Sequence, residues 1–189
     1  MKILCALADR DFADAERILA ADPKTEFEGG NRRFVCHDAL LGWIKGAEGD
    51  DNGAKTAYAK ARPSQLAYVK KWPDDANPLM MLAVVDAALG RKEEALREGR
   101  QAIAMQPIWR DAVDGPMLGV DLAQVYLLCG ENELAMKQLE NLEQVPQALT
   151  YGDLAKLPDW DRLRSDPRFQ KLLTQLKPIP IVNQLAAKK

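Results

Sequence analysis

The chain is poor in the residues on which catalysis, metal binding and secretion most often depend. It has one histidine and three cysteines among 189 residues. Cys5, Cys36 and Cys129 lie far apart and form no C-x-x-C pair, which argues against a zinc site or a disulfide framework and fits a reducing compartment. The apolar stretch at the start is too short for a signal-peptide core or a membrane span. We therefore predict a cytoplasmic location and no membrane partner.

The chain also lacks an excess of charge of one sign. The formal net charge is -2, whereas a nucleic-acid-binding domain usually shows a basic stripe. Arg91 to Arg100 mixes both signs within one stretch, which is typical of a solvated helix face. The sequence therefore predicts that this chain does not bind nucleic acid.

The one histidine, His37, offers little support for catalysis. It stands at the start of a predicted helix and follows Cys36, the only suggestion of a nucleophile beside a base. Adjacent side chains on a helix diverge, so this pair is a poor catalytic candidate. A lone histidine at such a position is usually a surface or capping group.

Adjacent carboxylates give no better candidate for chemistry. The pairs Asp50–Asp51 and Glu93–Glu94 lie near predicted helix starts, where acidic residues are favoured in any case. Asp159 and Asp161, with one residue between them, supply too few oxygen ligands for a calcium loop. We predict no catalytic residue, no metal site and no cofactor; an enzyme with a site hidden from the sequence is a distant alternative.

What the sequence does contain is a repeat. Ala15, Ala54, Ala95 and Ala135 recur at intervals of about forty residues, which lies inside the range for repeats made of two helices. Aromatic residues are only 6% of the chain, so we expect an aliphatic core in which alanines allow helices to pack closely.

The third repeat shows how each unit is built. Its first helix is predicted over about Asn77 to Leu89 and ends at Gly90, because glycine adopts the left-handed conformation freely. Its second helix is predicted over Lys92 to Met105, and Pro107 follows it.

The same reasoning divides the whole chain. Residues 1–146 are predicted to be repeats, the first one partial: about 1–30, 34–70, 76–109 and 116–146. Polar connectors, among them Asp22 to Arg33 and Pro107 to Pro116, separate the units. Residues 147–189 are predicted to form capping helices and a tail, with Trp160 and Phe169 covering the last repeat.

The repeat residues resemble the tetratricopeptide repeat. The third unit supplies the family's positions at Leu79, Leu82, Ala83, Gly90, Ala95, Ala102 and Pro107. It departs from the family where Asp86 replaces a tyrosine and Gly99 replaces an aromatic residue. The resemblance implies an all-α fold, a right-handed solenoid of antiparallel helix pairs with a short helical cap.

The segment Leu157 to Phe169 looks like the ending of repeat regions attached to bacterial signalling proteins. In that group the repeats follow a winged-helix, nucleotide cyclase or Ser/Thr kinase domain. The resemblance thus implies a regulatory or sensory C-terminal module of a larger protein. The short first unit fits a truncated repeat of such a protein, and the alternative is an atypical N-terminal cap.

The same resemblance implies where a partner binds, because in this family the first helix of each pair lines the concave face. Carried over residue by residue, that face is lined by Trp43, Asn77, Met80, Val84, Met117 and Gln124. The partner is predicted to be a protein or peptide held in an open groove. The alternative is an architectural role in which this face packs against the next layer or against a second copy of the chain as a homodimer.

Overall fold

The computed structural model describes residues 2–22, 26–29 and 33–178, and the predicted tail over 179–189 lies outside them. The elements in chain order are α1 Lys2–Ala8, α2 Phe12–Ala21, β1 Glu26–Gly29, β2 Arg33–Cys36, α3 His37–Glu48, α4 Asp51–Lys71, α5 Ala76–Ala88, α6 Lys92–Met105, α7 Asp114–Leu128, α8 Asn132–Glu143, α9 Tyr151–Lys156, a 3₁₀ helix over Pro158–Leu163, and α10 Pro167–Leu176. From α1 to α8, each helix packs against the next one along the chain, and α5 also contacts α7.

The predicted all-helical class is confirmed, with one addition. The connector between α2 and α3 contains a small antiparallel ribbon in which Glu26 pairs with Cys36 and Gly29 with Arg33. Strand β2 contacts α3, α4 and α5, so the ribbon lies against the second and third units. This stretch was predicted to be a polar connector between the first two units, and it also contains a strand pair.

The helix boundaries follow the local signals closely. Helix α6 spans Lys92–Met105 as predicted, and α5 begins and ends one residue earlier than expected. Gly90 after α5 and Gly130 after α7 have φ of 79° and 78°, the left-handed conformation that favours glycine at a helix end. Helix α4 spans 21 residues, Asp51–Lys71, and continues through Pro63.

Small residues mark the closest helix contacts. Ala83 on α5 and Ala95 and Ala102 on α6 are fully buried. Gly99, which replaces an aromatic residue of the repeat pattern, lies close to α7: a Cβ there would lie 2.9 Å from Leu122 Cδ1, so Leu122 would have to shift to accommodate any larger residue.

Replacing Ala95 with leucine tests this close packing. The position is 0% exposed, so the added atoms must displace neighbours, and we expect the free energy of unfolding to fall by about 1–3 kcal/mol. Urea denaturation followed by circular dichroism measures the change. An unchanged midpoint would contradict the placement of Ala95 at a helix contact.

The C-terminal helices begin where their caps predict. The Thr150 side chain accepts a hydrogen bond from the Asp153 amide at the start of α9, and Asp166 caps α10 in the same way. Trp160 and Phe169 are 1% and 0% exposed. Both belong to one continuous hydrophobic cluster that includes Leu7 of α1 and Ile44 of α3, so the cap shares a core with the first half of the chain.

Candidate functional site

The six residues predicted to line an open groove divide into two groups. Trp43, Val84, Met117 and Gln124 are partly exposed. Met80 is 0% exposed and Asn77 is 5% exposed, so neither can meet a partner at the surface. The prediction that these two residues line an accessible face was wrong, because both side chains are buried in helix α5, which packs against α4, α6, α7 and β2.

The 3₁₀ helix Pro158–Leu163, which we call the clasp, packs against helices of the repeats. Trp43 Nε1 on α3 donates a hydrogen bond of 3.0 Å to Asp159 Oδ1 of the clasp. Both terminal nitrogens of Arg10, in the turn after α1, donate to the Asp161 carboxylate at 2.7 Å. The clasp therefore joins side chains that are 116 and 151 residues away in sequence.

The clasp also contacts the last repeat. The Arg162 guanidinium donates to the carbonyl oxygen of Leu127 on α7 at 2.7 Å, and the clasp packs against both α7 and α8. Elements of the first, second and fourth units thus meet at one short segment. The cap was predicted to cover the final repeat, and in the structure it also reaches the first two units.

Apolar burial stabilises the contact between the clasp and the repeats more than the polar contacts do. The Arg10 and Asp161 side chains are 41% and 45% exposed, and exposed ion pairs usually stabilise by only about 0–1 kcal/mol. Trp160, by contrast, is 1% exposed, and Leu157 and Leu163 are also buried. Apolar burial of this size stabilises by several kcal/mol, on the order of 1.5–3 kcal/mol for each large side chain. The clasp is therefore held against the repeats mainly by apolar burial.

Asp159, a residue of the clasp, has a carboxyl group whose pKa is raised. Burial raises the pKa of its carboxyl to about 6, and the nearby charges of Asp121 and Asp161 act in the same direction, while the Trp43 hydrogen bond opposes them. Its Oδ2 atom is buried and has no hydrogen-bond partner among the described residues. Within the part of the chain that the structure describes, no group of three or more histidine, cysteine, aspartate or glutamate side chains is placed to hold a metal ion.

The Cys36–His37 pair lacks the environment of a nucleophile. Cys36 ends β2 and is buried, with its thiol 3.9 Å from the carbonyl oxygen of Ala61. Burial raises the pKa of the Cys36 thiol, whereas a nucleophilic cysteine needs a lowered pKa. The structure thus adds a physical reason to the sequence argument against this pair.

A second polar cluster is buried between α4, α5 and α6. Asp86 is 0% exposed and accepts hydrogen bonds from Arg62 Nε and Nη2 at 2.5 and 3.0 Å. Arg91 Nε lies 3.2 Å from the same carboxylate. Asp86, which replaces a tyrosine of the repeat pattern, therefore forms an ion pair with Arg62, and this pair links the second unit to the third.

Glu98 of α6 lies in the electrostatic field of this ion pair. It is 8% exposed, and its Oε2 atom is buried without a hydrogen-bond partner among the described residues. Burial and the negative charge of Asp86 raise the pKa of Glu98 to about 7, against the opposing influence of Arg97 and Arg62. The sequence analysis placed Glu98 on a solvated helix face, and that prediction was wrong.

Replacing Glu98 with glutamine should change how stability depends on pH. The raised pKa means that the folded state holds a proton that the unfolded state releases near pH 4.5, so Glu98 destabilises the fold progressively as pH rises from about 4.5 to about 7. We expect the variant to match the wild type near pH 4.5 and to exceed its unfolding free energy by about 1–3 kcal/mol above pH 7.

Urea denaturation across this pH range measures the difference, and Glu93→Gln is the matched control. Glu93 is exposed on the same helix, so its substitution should leave the pH dependence unchanged. A Glu98→Gln curve parallel to that of the wild type would show that Glu98 has the same pKa in the folded and unfolded states and would contradict this prediction.

Sequence reasoning missed the clasp and one surface feature. Asp159 and Asp161 were considered only as ion ligands, because their partners Trp43 and Arg10 lie too far away in sequence to be found. The connector between α6 and α7 carries Trp109, which is 86% exposed. The sequence signal for this exposed residue was a tryptophan within a connector that has a proline at each end.

Two further findings bear on the kind of protein this is. Among the residues that the structure describes, none of the helices combines the length and the apolar character needed to span a membrane. No protein family, curated protein or solved structure matches the chain.

Proposed function

We propose that the chain is a non-catalytic scaffold that binds another protein, built as a tetratricopeptide-like, right-handed solenoid of antiparallel helix pairs. In this proposal it is the regulatory module of a bacterial signalling protein and works in the cytoplasm. The support is the repeated helix–glycine–helix unit with buried alanines at matching positions, together with the resemblance of the Leu157 to Phe169 segment to the ends of such repeat regions.

The observation that carries the proposal is an accessible apolar stripe on α7. Met117, Val120 and Gln124 are partly exposed and Leu128 is 41% exposed. Their spacings of three, seven and eleven residues place them on one side of a helix. Val84 on α5, a helix that contacts α7, is also partly exposed. We call these five residues the stripe.

The stripe is narrower than the groove expected from the sequence, since Asn77 and Met80 are buried. It combines apolar side chains with Gln124, whose amide can both donate and accept hydrogen bonds. Such a surface suits an apolar helix or strand of a partner protein, because a buried main chain needs hydrogen-bond partners as well as apolar contact.

The stripe can be tested with the double substitution Val84→Glu and Met117→Glu in the full chain. We expect proteins that co-purify with the wild type from its native cells to be depleted at least tenfold with this variant, because two buried charges at an interface each cost several kcal/mol. Glu93→Ala with Arg100→Ala, both exposed on α6, is the control.

Circular dichroism and thermal unfolding should show that the double variant keeps the fold, because both positions are partly exposed. Equal recovery of every co-purifying protein would contradict the proposal. Sedimentation at several concentrations separates the alternative: a dimer that the double substitution dissociates would assign the stripe to self-association.

A further inference from the structure

The turn after α1 differs from the matching turns of the other three units. In those units the first helix is followed by Gly49, Gly90 or Gly130, with φ of 93°, 79° and 78°. Arg10 occupies this position in the first unit and has φ of 61°. In all four turns this residue donates its amide to the carbonyl oxygen three residues earlier. Arg10 therefore stands where the backbone favours glycine.

The Arg10 side chain makes a contact that glycine cannot make. A residue with a Cβ adopts the left-handed conformation only at a cost in free energy. At this turn the side chain reaches the clasp, where both terminal nitrogens donate to the Asp161 carboxylate at 2.7 Å. Of the four turns, the one without glycine is thus the one that binds the clasp. A specific side chain of the first unit holds the C-terminal segment.

A second carboxyl of the clasp, that of Asp159, has the opposite effect on closure. Its Oδ1 accepts the hydrogen bond from Trp43, but its Oδ2 is buried without a partner among the described residues. An ionised carboxylate is costly to bury unless both oxygens are paired, whereas a protonated one is neutral. Ionised Asp161 therefore favours the closed clasp through Arg10, and ionised Asp159 opposes it.

Groups from the neighbouring elements act on the Asp159 carboxyl. After burial, the largest cause, the negative charges of Asp121 on α7 and of Asp161 also raise its pKa, while its own amide and Trp43 lower it. Arg10 is attracted by the charge of Asp159 but donates to Asp161. Tyr58 on α4 stays neutral, because burial raises the pKa of its hydroxyl. The result is a pKa of about 6 for Asp159 in place of 3.8.

The charged groups on the other elements around the clasp have partners of their own. Arg162 donates to the carbonyl oxygen of Leu127 on α7, and Arg164 donates to Asp161. Glu133 on α8 forms an ion pair with Arg168. These contacts leave the balance at Asp159 to burial, to its neighbouring carboxylates and to Trp43.

We propose that the clasp is a proton-controlled latch, which closes on the first two units when Asp159 holds a proton and opens more often when that proton is lost. Opening releases the Trp43 indole and separates the C-terminal segment from Arg10, while the helix pairs keep their own contacts. The inference concerns the clasp alone and stands whether or not the stripe binds a partner.

The direction of the pH dependence follows from comparing the closed clasp with the open one. In the open form Asp159 meets water and its pKa returns toward 3.8, so closure weakens as the pH rises from about 4 to about 6. Between about pH 4.5 and 7.5 the ratio of open to closed clasp should rise about 25-fold. Asp161 acts in a separate range: Arg10 lowers its pKa, so its contact is lost only as the pH falls below about 4.

Native-state hydrogen exchange, followed by NMR on the full chain, measures this opening. The amides of Arg164 and Asp166 donate to the carbonyl oxygens of Asp161 and Leu163 in the closed segment. Their protection factors, corrected for the intrinsic effect of pH on exchange, should fall about 25-fold over the same range. Every chain carries Glu98→Gln, because Glu98 titrates in this range in another part of the fold.

Three substitutions separate the parts of the latch. Asp159→Asn removes the charge and keeps an oxygen for Trp43, so protection at the clasp should no longer depend on pH. Glu140→Gln, exposed on α8, is the matched control and should keep the full dependence. Arg10→Gly restores the glycine of the other turns and should lower protection at the clasp by about two- to fivefold, with the pH dependence intact.

The proposal also requires that the clasp opens without unfolding of the whole chain. At pH 7.5 its amides should be at least about tenfold less protected than the most protected amides of α6. Equal protection in both places would overturn the proposal, as would protection that is independent of pH, a dependence that survives in Asp159→Asn, or no effect of Arg10→Gly.

Trp43→Phe gives a second test if Asp159→Asn does not fold. The indole donates to the Asp159 carboxylate and lowers its pKa, so its loss should move the midpoint of the pH dependence to higher pH. An unchanged midpoint would overturn the assignment of the latch to Asp159.

Discussion

Replacing Arg62 with methionine is expected to lower the free energy of unfolding by about 3–5 kcal/mol at neutral pH, the usual cost of leaving one member of a buried ion pair without its partner. Asp86 is 0% exposed and receives both of its shortest hydrogen bonds from Arg62. Arg91 remains within 3.2 Å, but its side chain is 42% exposed, so it compensates only in part. Glu98 adds a second partly ionised carboxyl to a cluster that has then lost its main cation.

A double variant separates the charge effect from lost packing. Arg62→Met combined with Asp86→Leu removes both charges, and we expect it to recover most of the lost stability, since apolar replacements of buried ion pairs are often neutral or stabilising. Urea denaturation of the wild type, Arg62→Met, Asp86→Leu and the double variant gives the coupling energy between the two residues. If the double variant is less stable than Arg62→Met alone, Arg62 does not stabilise the fold through its ion pair with Asp86.

Replacing Trp160 with alanine should have an effect of similar size. The side chain is 1% exposed and belongs to the continuous core that runs from α1 to α10, so its removal leaves a large cavity and should cost about 3–5 kcal/mol. Trp109→Ala is the matched control, because that ring is 86% exposed and its loss should change stability by no more than about 0.5 kcal/mol.

Hydrogen exchange on the Trp160→Ala variant tests the role of the clasp more sharply than stability alone. Because the clasp contacts Arg10 and Trp43, we expect amide protection to fall in α1 and α3 as well as in α7 and α8. Loss of protection confined to α7 and α8 would mean that the segment stabilises only the last repeat.

Local chemistry made the helices predictable. Gly90 ends α5 because only a residue without a side chain adopts φ of 79° at no cost, and Asp166 begins α10 because its carboxylate satisfies a free amide. Both signals act within a few residues, so the sequence displays them directly. The exposures of Met80, Asn77 and Glu98 were wrongly predicted because burial depends on what covers a helix, and helical spacing does not encode that.

The helical units, their caps and the small residues at their contacts can be predicted from the amino-acid sequence, since those features depend on neighbours along the chain. The return of the C-terminal segment to Arg10 and Trp43, the pairing of Asp86 with Arg62 and the exposure of Trp109 are visible only in the folded chain. Apolar burial has no direction and little dependence on sequence separation, so the partners of Trp160 are set by the shape of the whole assembled core.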